Sequence, residues 1–308
     1  MPVTTYDAVV IGGGPAGLQA ALTLGRMHRT ALLLDSGEYR NAPAEHLHNF
    51  ATHDGMPPAE FRSAARADLA AYGTVEVRDL LATAVTRDDD GFRVDLADGS
   101  PVAARALVLA TGVADTLPDL PGLQPIFGTV AATCPYCHGH EFSGKHVAVL
   151  GNGPHTARVA LLVERIASSR TVLTDGGELD PATRALLDRA GVAVREEPVK
   201  GVCRSAVGAT VSFADGPDEE VGGLFVSGPF AQRAPFAEQL GLSLLDSGCV
   251  EVDAMGRTSA PGVFAAGDMA HTSATPMPMA SVLTAAASGL VAAVSADAHL
   301  LGRDHDLS

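Results

Sequence analysis

The stretch CPYCHGH, residues 134–140, brings Cys134, Cys137, His138 and His140 close together in the chain and admits three kinds of chemistry. C-x-x-C-H is the attachment sequence of a c-type haem, two cysteines with two histidines could hold zinc, and C-x-x-C alone is a redox-active disulfide. Haem attachment follows export, and the opening MPVTTYDAVVIGGG has neither a basic leader nor a small-residue cleavage site. Structural zinc sites draw two ligand pairs from separated segments, whereas these four side chains share one short stretch, and Cys203 and Cys249 have no ligand-spaced neighbours. Redox chemistry is the expectation, and no metal is predicted.

Such a pair must be positioned by a framework large enough to hold an electron partner. The 308 residues, 46% hydrophobic, are more than one core should hold, so two domains are predicted. A net charge of -15 repels nucleic acid and anionic membrane but not a neutral small molecule or a basic protein. No apolar stretch approaches the roughly 20 residues that span a bilayer. The Ala-rich run over 281–298 is interrupted by Thr284, Ser288, Gly289 and Ser295. A cytoplasmic protein is predicted.

The first element is a strand over 6–11 that runs into Gly12-Gly13-Gly14-Pro15-Ala16-Gly17, then a helix to about residue 28 and a strand over 31–34 ended by Asp35. This is a dinucleotide-binding pattern. Gly12 makes the tight turn, Gly14 lets backbone approach a pyrophosphate, Gly17 permits close helix packing, and Asp35 can accept from ribose hydroxyls. A later strand over 105–109 enters Ala110-Thr111-Gly112, and the Pro-rich 116–125 reads as a crossing between domains. A second strand and glycine turn follow, 146–150 into Gly151-Asn152-Gly153-Pro154-His155-Thr156, with a helix to about 166 and a strand over 170–174. Near the end, GVFAAGD over 262–268 delivers Asp268 beside a Pro-rich turn and the start of the Ala-rich helix, where it can hold a polyol hydroxyl. The fold class expected is α/β, with two Rossmann-like three-layer domains.

GGGPAG, the LATG over 109–112, a C-x-x-C just before the second glycine turn, and GVFAAGD together resemble the low-molecular-weight thioredoxin reductase-like flavoproteins over nearly the whole chain. That resemblance implies FAD held by residues 1–114 and 243–308, with 115–242 an inserted NAD(P)H-binding-like domain carrying the cysteine pair, and a homodimer. It implies that Asn49, in HLHNF, touches the flavin side of the cofactor, and that Ala280 and Ser281 stand at the helix start under the flavin ring, although the family's usual Arg-Gln pair is absent there. His46, His48 and His53 form a further group in the same domain whose spacing says little.

Two departures set the direction of electron flow. The second nucleotide strand ends in Thr174-Asp175-Gly176 with no arginine for a 2'-phosphate. Like charges about 4 Å apart at an effective dielectric of about 20 repel by roughly 4 kcal/mol, which opposes NADPH. NADH, whose ribose Asp175 could accept from, is opposed less. His155 and Thr156 also crowd the second turn. The second departure is CPYCHGHE, which resembles the dithiol oxidases that close disulfides in natural products such as gliotoxin and holomycin. The resemblance implies that electrons pass from a small dithiol to Cys134 and Cys137, then to FAD and O2, with hydrogen peroxide formed. It implies that Cys134 faces substrate and Cys137 the flavin. Thiols near pKa 8.5 need a base at pH 7, and His138 is the first candidate, His140 the second, with Glu141 able to orient either. The alternatives are a disulfide reductase fed by NADH or reduced ferredoxin, and, more remotely, a non-catalytic flavoprotein or zinc-binding module.

Overall fold

The computed structural model describes residues 3–307, which form two compact units: 3–40, 59–114 and 230–307 in the first, 41–58 and 115–229 in the second. In the first, parallel strands run in the order Val75–Arg78, Ala31–Leu34, Thr5–Ile11, Pro101–Leu109 and Val263–Ala265. The strands Ala82–Asp88 and Gly91–Leu96 join antiparallel along the first half of Pro101–Leu109. Central strands are buried on both faces, which is why Ala31–Leu34 reads as an unbroken apolar run.

Alternation along the strands divides their side chains between two cores. Val9, Ile11, Leu32, Leu34, Leu107 and Leu109 pack with Phe92, Val94 and Phe236 on one face. Ala8, Val10, Leu33 and Val108 pack with Leu18 and Leu24 of the helix Pro15–Arg26 and with Ala292 and Ala296 of the helix Val282–His305 on the other. Val282–His305 is, among the described residues, the one helix long and apolar enough to cross a membrane. Its Ala285, Ala292, Ala293, Ala296 and Leu300 are nevertheless buried in this core.

The second unit has five parallel strands, Ala193–Arg195, Ser169–Leu173, His146–Leu150, Gly223–Phe225 and Ala131–Ala132 in that order. Helices Pro154–Leu162 and Pro181–Arg189 supply Val159 and Leu187 to one face. An antiparallel sheet of Val199–Arg204, Ala209–Phe213 and Glu219–Val221 covers the other through Val202, Val211 and Phe213. The two-Rossmann α/β architecture expected of the sequence is present.

Two boundaries differ from expectation. Residues 230–242, assigned above to the insertion, belong to the first unit because Phe236, Ala237 and Leu242 are buried in its core beside Val85 and Val94. Residues 41–58, assigned to the flavin domain, belong to the second unit, where Pro43, His48 and Asn49 meet Gly128, Glu141 and Tyr136.

Candidate active site

The strand Ala131–Ala132 pairs with Gly223–Phe225 and feeds directly into the redox turn. Cys134 is the extended N-cap of the short helix Pro135–His138, with proline at its first position, where a missing N–H costs nothing. Cys134 and Cys137 are joined as a disulfide with their Cα atoms 5.3 Å apart, so they are not free thiolate ligands for a metal. Both are half-buried, while Tyr136 between them is 68% exposed. The turn closes through Gly139, where a Cβ would come 2.4 Å from the carbonyl oxygen of Pro135 and 3.1 Å from Ile166 Cδ1. Phe142 then anchors the segment against Phe225, ring centroids 5.4 Å apart.

His138 is half-buried and its Nδ1 has no hydrogen-bond partner. Burial pushes its pKa below the usual histidine value, opposed by a hydrogen bond to the Gly128 backbone and by the Glu141 carboxylate, and assisted by His48. A neutral imidazole at pH 7 is a competent proton acceptor. His140 instead lies exposed on the following 3-10 turn.

A cavity of about 230 Å³ opens beside this group, and its walls include His138, Glu141, Gly128, His48 and Lys145. His48 Nδ1 is 3.5 Å from Asp54 Oδ1 and its Nε2 is 3.4 Å from Glu141 Oε1. The next residue, Asn49, has a left-handed backbone (φ 60°) and donates its side-chain amide to the Tyr136 carbonyl. Asn49, expected at the flavin, is thus placed against the cysteine turn itself.

The first glycine turn builds a phosphate cradle. Gly12 has φ 123°, and a Cβ on Gly17 would fall 1.8 Å from the Gly12 carbonyl oxygen, so helix and strand meet backbone to backbone. Gly14 faces open space and caps the helix Pro15–Arg26 with no side chain, leaving its first N–H groups aimed outward. These features fit a dinucleotide pyrophosphate. Asp35 lies buried against Gly13 but accepts from Gly37 N (2.9 Å), Tyr39 Oη (2.7 Å) and Arg66 Nη2 (2.5 Å). A carboxylate has about four acceptor positions, so about one remains for a ribose.

Thr111 donates to Met269 Sδ (3.2 Å), and a Cβ on Gly267 would come 3.1 Å from that of Ala16, so 109–112, Ala16 and the turn Gly267–Met269 share one neighbourhood. There Asp268 accepts from Arg40 Nη1 at 2.8 Å, across 228 residues of chain. Ser281 caps the long helix, accepting from Thr284 N at 3.0 Å, with Ala280 half-buried before it.

The second glycine turn is built differently. Thr156 is buried, its Oγ1 2.6 Å from where a Cβ on Gly151 would stand. Asp175, with φ 53°, turns back to accept from Val199 N at 2.7 Å. Arg195 on the neighbouring strand is taken by Glu197 and Glu219, and Arg184 by Glu196.

The sequence model of the pyridine nucleotide-disulphide oxidoreductases matches residues 6–289. The chain belongs to this family. It is 33% identical over 319 residues to "Thioredoxin reductase sirT" of Leptosphaeria maculans, across 97% of this chain and 95% of that one. Among solved structures it is similar to HlmI, with a TM-score of 0.89 at 34% identity over 97% and 94% of the two chains. It is also similar to an oxidoreductase from Agrobacterium tumefaciens, with a TM-score of 0.88 at 33% identity over 97% and 99%.

In this thioredoxin reductase-like chain the sequence marked His48 only as one of three histidines whose spacing says little, and Asp54 not at all. Their one local signal is the density of histidine and acid in HLHNFATHD, which carries no helix or strand period.

Proposed function

We infer that the protein is an FAD-dependent dithiol oxidase that closes a disulfide in a small dithiol metabolite, R(SH)2 + O2 giving RS2 + H2O2. The observation that carries this reading is the Cys134–Cys137 disulfide followed at once by His138, a half-buried imidazole favoured in its neutral form. A free thiol is only a few per cent ionised at pH 7, so a base next to the disulfide addresses the slow part of exchange.

In this scheme His138 takes a proton from one substrate thiol, and the thiolate attacks Cys134 Sγ. The bond to Cys137 breaks, and the leaving Cys137 thiolate recovers the proton from His138. The second substrate thiol, deprotonated in turn, attacks the substrate sulfur and breaks the mixed disulfide, which releases reduced Cys134. Two electrons and two protons have then passed from substrate to the cysteine pair. FAD, held at Gly12, Gly14, Pro15, Ala16, Gly17 and the Thr111, Gly112 and Asp268 neighbourhood, would supply a two-electron acceptor that dioxygen reoxidises.

The oxidase direction draws support from the second glycine turn, where Asp175 brings a negative charge against a 2'-phosphate and the nearby Arg184 and Arg195 are already paired. A homodimer draws support from Leu283, Leu290, Val294 and Leu301, an exposed apolar stripe at seven- and four-residue spacing along one helix. A two-fold axis lets such a stripe cover itself.

The test is an anaerobic titration of the purified flavin-loaded protein with dithiothreitol, NADH and NADPH in separate cuvettes. The dithiol is expected to bleach the flavin band. Rapid bleaching by micromolar NADPH, with none by dithiol, overturns the oxidase reading in favour of a reductase.

A further inference from the structure

The segment 41–58 reaches the redox motif at three points, two of them at partners of His138. A Cβ on Gly128, whose backbone bonds to His138, would strike Pro43, 2.3 Å from its carbonyl oxygen. Glu141 is met by His48 at 3.4 Å, and the cysteine turn is tied by Asn49 through the Tyr136 carbonyl. Asp54 holds the strap in shape, its Oδ1 accepting from Asn49 N at 2.8 Å and lying 3.5 Å from His48 Nδ1. The segment therefore clasps the redox motif at three points, and His48 stands at the cavity wall that also holds His138.

We propose that His48 is a positioning residue for the base: from the cavity side it holds the Glu141 carboxylate beside His138, and when charged it competes with His138 for that carboxylate. This rests on the oxidase reading only in calling His138 the base. Charge on His48 or Glu141 acts on the His138 imidazole, in opposite directions. The ionisable groups facing His138 across the cavity are His48 and Glu141, with Glu45, His46 and Lys145 further round its wall and Asp54 behind His48. Glu141 favours the protonated form of His138 and His48 disfavours it. Removing His48 should let His138 keep its proton to higher pH; removing the Glu141 charge should do the reverse.

The experiment compares wild type, His48→Gln, His48→Ala and Glu141→Gln as flavin-loaded protein, with two readouts. One is the pH profile of anaerobic flavin bleaching by dithiothreitol, and the other is the NMR titration of the His138 ring proton. His48→Gln keeps a donor toward Glu141 but no charge, and its profile and titration should move up by about half a unit to one unit. Glu141→Gln should move both down. His48→Ala, which also frees the carboxylate, should lose about tenfold in limiting rate, with His48→Gln recovering part of that loss. Profiles and titrations that superimpose on wild type overturn the proposal. If the His48 variants do not fold, Asp54→Asn, which loosens His48 from behind, must shift the titration or the proposal fails. A wild type unbleached by dithiol overturns the oxidase reading alone, because the ring-proton titrations still decide the role of His48.

Discussion

Asp175 Oδ1 accepts from the backbone N–H of Val199 at 2.7 Å, closing the end of the strand where a cofactor of the inserted unit would present its ribose. That bond fixes where the carboxylate sits, and toward a 2'-phosphate its charge would be repulsive. NADPH is therefore expected not to reduce the flavin at a useful rate. Stopped-flow absorbance with micromolar NADPH checks this, and NADH should be the less disfavoured of the two.

The two cysteines should separate in single variants. Cys137→Ser is expected to abolish electron transfer to the flavin. Cys134→Ser should leave a Cys137 thiolate beside the flavin, visible as a long-wavelength absorbance band. A band appearing in Cys137→Ser instead would reverse the two roles.

His138→Ala should slow dithiol oxidation by about a hundred- to ten-thousandfold at neutral pH while the disulfide still forms. The sign with pH follows from the site. Burial lowers the His138 pKa, so its base form persists below the usual histidine range and the wild-type rate should hold into mildly acidic solution. The variant has no such base, and its deficit should shrink as pH rises toward about 8.5, where substrate ionises unaided. His140→Ala, at an exposed position, should be much milder. Rates across pH 6 to 9 with both variants decide between the histidines.

Gly139→Ala tests the shape of the motif. The added methyl would meet the Pro135 carbonyl at 2.4 Å with Ile166 behind it, and both would have to move. Overpacking of this kind costs about 1–3 kcal/mol. Urea unfolding should detect the loss, and dithiol turnover should fall with it, since the displaced backbone is that of the cysteine turn.

What was legible in the sequence was local. The first glycine turn, the cysteine pair and GVFAAGD each announce their geometry within a few residues, because turn chemistry and helix starts depend on near neighbours. Tertiary placement was not legible. Asn49 and Tyr136 are 87 residues apart, and 41–58 carries no periodicity to show which core it joins. The return of the chain at residue 230 rather than 243 depends on where Phe236 is buried, and an apolar residue in sequence does not say which of two cores takes it. The commitment of Asp35 to Arg66 and Tyr39, and of Asp268 to Arg40, escaped for the same reason.

The strand that leads into the cysteine turn, Ala131–Ala132, is two residues long and lies at the end of its sheet, laddered to Gly223–Phe225 with one isolated bridge from Ala131 to Phe127. Such an edge can detach without melting the strands inward of it, and local openings of this kind cost less free energy than global unfolding. In hydrogen exchange, the amides of 131–139 should accordingly exchange as a separate, faster group than those of His146–Leu150 in the middle of the sheet. Reduction of the disulfide removes the covalent tie across the turn and should speed that group further, so the oxidation state of the cysteines would be readable as a local breathing rate.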